Sequence, residues 1–389
     1  MGRSGTTPDA PRRREDGRGA TVVLRAVGDV ALIGCAADAL ISGGDEGWRE
    51  AAAFLSEADI AFANFEMPLV RPGSEPVEPD VSPDLAGRAE ALDAFLESGI
   101  DVVSLANNHI MDWGEVGLFD TIDSLRRKGV APFGAGRDLD EALEPAVLER
   151  SGLRIGFVGF TPEQRWTARS GVPGAAPLKP DIIRDSLSRL GNVDVRIVSL
   201  HWGIEMSNYP MPKDRRLARQ IAEAGADLII GHHTHVIQGM ERFARTTVAY
   251  GLGNFLFDIR AGRIEHGFEQ WDLRAGYVLD AELGGAGVAS VRAVPTFLGE
   301  DGLGTLARND ERERIAAHIE TVSRDLAAGG ARVWEHAGDR VVGHKMKVIR
   351  ANVRDGGILF ALRQLANARP RHFKMLLGFI ASRLKRRSR

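Results

Sequence analysis

Ala226-Asp227-Leu228-Ile229-Ile230-Gly231-His232-His233-Thr234-His235-Val236 joins an apolar, β-branched run directly to three imidazoles. The run has the composition of a buried strand, so the histidines are expected at its C-terminal end. In extended backbone His233 and His235, two residues apart, point the same way, and neutral imidazole is a common transition-metal ligand. His232 is expected on the opposite side, among substrate-facing groups. A lone His-x-His can be a merely solvated strand end, so the reading depends on what the other strand ends carry.

Working outward, the same chemistry recurs. Thr21-Val22-Val23-Leu24-Arg25-Ala26-Val27 runs into Gly28-Asp29, where glycine is expected to turn the chain and leave Asp29 exposed at the strand end. Ala58-Asp59-Ile60-Ala61-Phe62-Ala63 closes in Asn64-Phe65-Glu66, with Asn64 and Glu66 on one face by strand alternation. Ile100-Asp101-Val102-Val103-Ser104-Leu105 ends in Ala106-Asn107-Asn108-His109, and Asp112 follows three residues later, within reach of the His109 ring. A strand over 193–200 ends in His201-Trp202-Gly203, and the loop after it offers Glu205, Asn208 and Tyr209. Thr246-Thr247-Val248-Ala249-Tyr250 leads to Gly251-Leu252-Gly253-Asn254-Phe255.

Between these strands lie apolar stripes at helical spacing. They run over 89–98, through Leu118, Ile122 and Leu125, and through Leu217, Ile221 and Ala224, each closed by a glycine. Strand and helix alternate, the pattern of a layered α/β fold. A hairpin is expected around Gly284-Gly285, and a helix over 310–328 with Ile315, Ile319, Val322 and Leu326 as core. In open α/β sheets the C-terminal strand edges converge on one crevice. Asp29, Glu66, Asn108, His201, His233 and His235 therefore form a metal-ligand inventory whose mixed carboxylate, amide and imidazole donors suit divalent Mn, Fe, Zn or Co.

Taken in order, Gly28-Asp29, Asn64-Phe65-Glu66, Asn107-Asn108-His109 with Asp112, His201-Trp202-Gly203, Gly231-His232-His233-Thr234-His235 and Gly251-Leu252-Gly253-Asn254-Phe255 resemble the CapA family of poly-γ-glutamate capsule proteins, over residues 21–300. That family is similar to calcineurin-like metallophosphoesterases, which implies a pair of packed mixed sheets flanked by helices. It also implies metal roles for Asp29, Asn108, His201, His233 and His235, and a proton-donating or oxyanion-stabilising role for His109. Two departures stand out. The phosphoesterases carry a His where this chain has Ala31, and Glu66 is the nearest counterpart of their bridging Asp. One or two divalent ions are therefore expected, with a single, weakly held or dispensable ion left open.

The resemblance implies metal-assisted hydrolysis or transfer on a peptide or polyamino-acid substrate, with Asn64, Asn107, Glu205, His232 and Asn254 facing it. The alternative is a peptide epimerase of the kind found in lasso-peptide maturation, removing and returning a Cα proton, since acids and bases around one crevice also permit that chemistry. A non-catalytic accessory role is a third reading.

The chain has 389 residues, 44% hydrophobic and 26% charged, an ordinary globular composition. Cys35 alone excludes an intramolecular disulfide and a multi-cysteine zinc site. With no secretory-type leader and no run of 18 apolar residues, a cytoplasmic protein without a transmembrane segment is expected. The net charge of −3 is segregated: residues 345–389 hold 13 of the 50 basic and one of the 53 acidic residues, leaving −15 on the rest. Such a tail can meet an anionic partner or fold back on its acidic body, and carries no specific nucleic-acid signal. The expected organisation is a disordered leader (1–20), the CapA-like domain (21–300), a helical extension (301–344) and the basic tail (345–389).

Overall fold

The computed structural model describes residues 20–70, 85–162, 166–259 and 270–329. The leader through residue 19 and the basic tail read from the sequence lie outside these residues, as does the stretch 71–84, whose four prolines and acids read as a loop. Along the chain the strands of the two large sheets are β1 (Thr21–Val30), β2 (Ile60–Phe65), β3 (Ile100–Ser104), β4 (Ala131–Phe133), β5 (Ala146–Arg150), β6 (Leu153–Phe160) and β7 (Val195–His201). They continue as β8 (Leu228–His232), β9 (Met240–Phe243), β10 (Thr246–Ala249), β11 (Asn254–Leu256), β12 (Ala275–Gly284), β13 (Gly287–Leu298) and β14 (Gly304–Leu306).

One sheet has the order β14-β13-β12-β1-β2-β3-β4, with β11 also on β1; the other has the order β9-β10-β8-β7-β6-β5. Both are mixed: the first is parallel from β1 through β4 and antiparallel from β1 out to β14, and the second has a parallel centre with an antiparallel pair at each edge. They pack face to face, and the expected two-sheet α/β architecture is what forms. Leu24, Phe62 and Leu279 of the first sheet bury against Phe157, Ile197 and Ile230 of the second. Phe62 stacks on Phe157 at 6.1 Å between ring centroids, and a fully buried side chain of this size contributes roughly 1.5–3 kcal/mol. Helices Gly34–Ile41, Glu46–Ser56 and Gly114–Arg127 cover the outer face of the first sheet, and Pro180–Arg189 and Pro212–Glu223 that of the second.

The expected hairpin is present, with Gly284 paired to Gly287. The last described helix runs Asn309–Ala327 and buries Ile315, Ile319, Val322 and Leu326. The helix expected over 89–98 is shorter, a 3-10 turn Ala89–Ala91 followed by Leu92–Leu96. No helix among the described residues is long and apolar enough to cross a membrane.

Strand alternation places the site. On the face of each strand turned to the other sheet, the apolar rows are Ile60 and Phe62 on β2, Val195 and Ile197 on β7, and Leu228 and Ile230 on β8. Two more residues along, these rows reach Asn64, Ser199 and then His201, and His232. The inter-sheet core thus ends, at the C-terminal edge of the parallel strands, in a layer of polar groups.

Candidate metal centre

Asp29 is not past the end of its strand, as the sequence suggested, but inside β1, beside a register break. Residues 21–26 pair with β12, whereas Asp29 and Val30 pair with β11. Gly28 sits where the partner changes, and its role is close approach, not a turn: a Cβ there would lie 1.9 Å from the Gly253 carbonyl oxygen. The neighbouring Asp29 amide donates to that same carbonyl at 3.0 Å. Gly231 plays the equivalent part before the histidines, since a Cβ would meet the Tyr250 carbonyl oxygen at 2.0 Å and Trp202 Nε1 at 2.6 Å.

Two triads of potential ligands lie side by side, Asp29–Glu66–His235 and Glu66–His201–His233, each with its donor atoms mutually within 4.8 Å. Glu66 belongs to both. Its Oε1 is 3.3 Å from His201 Nε2 and 3.9 Å from His235 Nε2, yet neither carboxylate oxygen receives an aligned hydrogen bond although both are buried. A buried carboxylate left without donors is strongly unfavourable unless a proton or a cation satisfies it. The residues therefore fit the divalent ion that the donor set implies. Asn108 joins the second triad, with its Oδ1 2.6 Å from His201 Nε2.

The His-x-His segment is not extended. His233 and His235 have φ of 86° and 57°, the left-handed region that side chains other than glycine rarely adopt, so strand alternation does not set their direction. A tight loop aims both rings instead. The His233 amide donates to Asp29 Oδ2 at 3.2 Å, and the Thr234 carbonyl accepts from Met206. Buried Thr234, a mere spacer in the sequence, also closes the loop by donating from Oγ1 to the Val236 carbonyl. His232 does not face substrate: it is buried, with Nδ1 3.5 Å from Asp29 Oδ1 and its ring 5.7 Å from that of Phe62.

Other side chains expected to face substrate are spent inside the fold. Asn107 donates to the Phe65 carbonyl and accepts from the amides of His109 and Ile110, so it shapes the loop that presents His109. Asn254 holds the His235 ring through Oδ1, 2.9 Å from Nδ1. Asn64, fully buried, lies between Asp29 Oδ1 (2.9 Å) and His201 Nδ1 (3.3 Å). Apart from the local bonds Asn107 accepts from His109 and Ile110, these contacts run to distant stretches of the chain, so the sequence could flag the amides as polar strand ends without revealing their partners. Glu205 alone of that group is exposed, its Oε1 3.9 Å from His233 Nε2 at the rim. His109 Nδ1 is 2.7 Å from Asp112 Oδ2, the spacing expected three residues apart.

The electrostatics divide these groups. Burial, then the charge of Asp29, pushes Glu66 up to about 8. Burial also works against the Asp29 carboxylate, but the His232 imidazole beside it and the His235 charge hold it well below the usual carboxylate range. Burial pulls His201 well below its ordinary value and, with His201 nearby, brings His233 to about 3. At His235 burial is outweighed by the Glu66 and Asp29 charges, and at His109 by the Asp112 hydrogen bond and charge, so both rings titrate above the ordinary value. A protonated acid facing neutral imidazoles is a site that can exchange its proton for a cation.

The sequence model described as "Bacterial capsule synthesis protein PGA_cap" matches residues 23–259. The chain is 32% identical over 224 residues to a capsule biosynthesis protein CapA of Bacillus anthracis, covering 56% of this chain and 54% of that one. It is 33% identical over 205 residues to a PGA biosynthesis protein CapA of Bacillus subtilis, covering 52% and 54%. The chain thus spans about half the length of these curated relatives. Among solved structures, a novel phosphatase from Mycoplasma pneumoniae superposes with a TM-score of 0.44 at 13% identity, over 72% of this chain and 94% of that one.

Proposed function

Since the chain belongs to the family of bacterial capsule synthesis proteins described as PGA_cap, we propose that it is a metal-assisted hydrolase or transferase acting on amide bonds of a poly-γ-glutamate-type polyamino acid. The observation that carries this reading is Glu66, buried between two ligand triads with both oxygens lacking hydrogen-bond donors. Asp29, Glu66 and His235 would hold one ion, and Glu66, His201 and His233 with Asn108 a second. When bound, a divalent ion supplies Lewis-acid polarisation of the scissile carbonyl and lowers the pKa of water. The chain itself supplies the proton. Asp112 engages His109 Nδ1, which orients the ring and leaves Nε2 as the nitrogen that can hand a proton to the departing amine.

The names of the CapA relatives support capsule polymer as the substrate class. The test is incubation with a γ-glutamyl polymer and Mn2+ in deuterated water. New amine ends without deuterium at Cα are expected. Deuterium at Cα without new amine would replace this reading with epimerisation, and neither change would leave an accessory, non-catalytic role.

A further inference from the structure

We infer that the two ion positions are unequal and fill in order, because two buried asparagines dictate opposite ring tautomers in His235 and His201. The inference rests on the metal-centre reading above. At His235 the orientation of Asn254 is fixed from behind: its Nδ2 donates to the carbonyls of His235 (3.3 Å) and Leu273 (3.0 Å), groups that can only accept. Its Oδ1 therefore faces His235 Nδ1 at 2.9 Å. An amide oxygen accepts and never donates, so in the neutral ring Nδ1 carries the proton. The lone pair is then on Nε2, the nitrogen 3.9 Å from Glu66 Oε1, already in the form a cation needs.

His201 is held the other way. A carboxylate likewise only accepts, so the Asn64 group 2.9 Å from Asp29 Oδ1 must be the amide nitrogen. That nitrogen is also 3.3 Å from His201 Nδ1, which must then accept, and the ring proton falls on Nε2. There it is donated to Asn108 Oδ1 at 2.6 Å, on the side of the ring that faces Glu66 at 3.3 Å. For His201 to offer Nε2 to an ion, the proton must move to Nδ1, where it meets the Asn64 amino group. The amide must then turn over. Asn64 Oδ1 has no hydrogen-bond partner, so turning breaks nothing on that side, but it brings the oxygen against Asp29. A cation already beside Asp29 relieves that repulsion. The Asp29–Glu66–His235 position thus fills first and eases the second, with Asn254 and Asn64 as positioning residues.

Long-range nitrogen–proton NMR of the ion-free protein, at a pH where both rings are neutral, reads the tautomers directly. The proton is expected on Nδ1 of His235 and on Nε2 of His201. Calorimetric titration with Mn2+ should give two steps separated by about tenfold or more in Kd. Asn254→Leu should weaken the first step by about 10–100-fold, the usual effect of losing a hydrogen bond that orients a ligand. Asn64→Asp, which offers His201 Nδ1 an acceptor, should bring the steps together. The same tautomer in both rings, two indistinguishable steps in the wild type, or a single step indifferent to Asn254→Leu would overturn the inference. No binding of Mn2+ or Zn2+ at all would overturn the metal centre itself and this inference with it, whereas the tautomer outcomes bear on the inference alone.

Discussion

His109 and Glu66 lie close enough to feel each other's charge, and the proposed function gives them different duties that single substitutions should separate. His109 is tied to Asp112 and belongs to neither ligand triad, so it is placed to move a proton without holding an ion. His109→Ala should lower turnover at least about 100-fold, the usual worth of general acid catalysis, while bound metal and melting temperature stay close to wild type. Parallel loss of metal and turnover would return His109 to the ligand set. The acids and imidazoles of the site were legible in the sequence because their chemistry is scarce at strand ends and recurs on five of them. What Asn64, Asn107 and Asn254 do was not. An amide both donates and accepts, and its duty is fixed by partners such as Asp29, the Phe65 carbonyl and the Leu273 carbonyl, which only the folded chain brings near.

Among the elements, Glu66, His233 and His235 follow the ends of β2 and β8, whereas Asp29 and His201 lie within the last residues of β1 and β7. The bulge in β1 was hidden, because its cause is a change of pairing partner from β12 to β11, more than two hundred residues away in the chain. The left-handed backbone of His233 and His235 was hidden too, since period-two alternation assumes extended chain. Gly231 gives a test of the close packing behind that loop. Gly231→Ala places a methyl group 2.0 Å from the Tyr250 carbonyl oxygen and should destabilise the protein by roughly 2 kcal/mol or more, with metal affinity falling alongside. An unchanged melting temperature would show that the contact relaxes freely. A second test lies on the helix Pro212–Glu223, where burial raises buried Asp214 to about 6 against the opposing pull of Lys213 and the Met211 amide. For an acid with a raised folded-state pKa, the stabilisation is complete below its unfolded value near 4 and is lost as pH rises through about 6. Asp214→Asn should therefore flatten the fall in melting temperature between pH 4 and 6, and an unchanged slope would contradict this assignment.

For the whole molecule, the central feature is that the candidate ligands come from both sheets. Asp29 and Glu66 stand at the ends of β1 and β2, and His201, His233 and His235 at the ends of β7 and β8. An ion held by both sets fastens the sheets together at the mouth of their shared core. Alternation of strands and helices made an α/β fold legible, but the division into two facing sheets followed from the family resemblance, because no local period records which sheet a strand joins. The most direct measurement is the melting temperature of wild type and of Glu66→Gln, each with chelator and with saturating Mn2+. A ligand at about 100 times its Kd adds about 2.7 kcal/mol, so wild type should rise by roughly 5–10 °C. Glu66→Gln, whose neutral amide replaces an acid that burial keeps protonated without an ion, should melt no lower than wild type in chelator and should gain almost nothing from Mn2+. Equal gains in the two proteins, or none in wild type, would contradict the account of Glu66 as the ligand shared by a metal centre.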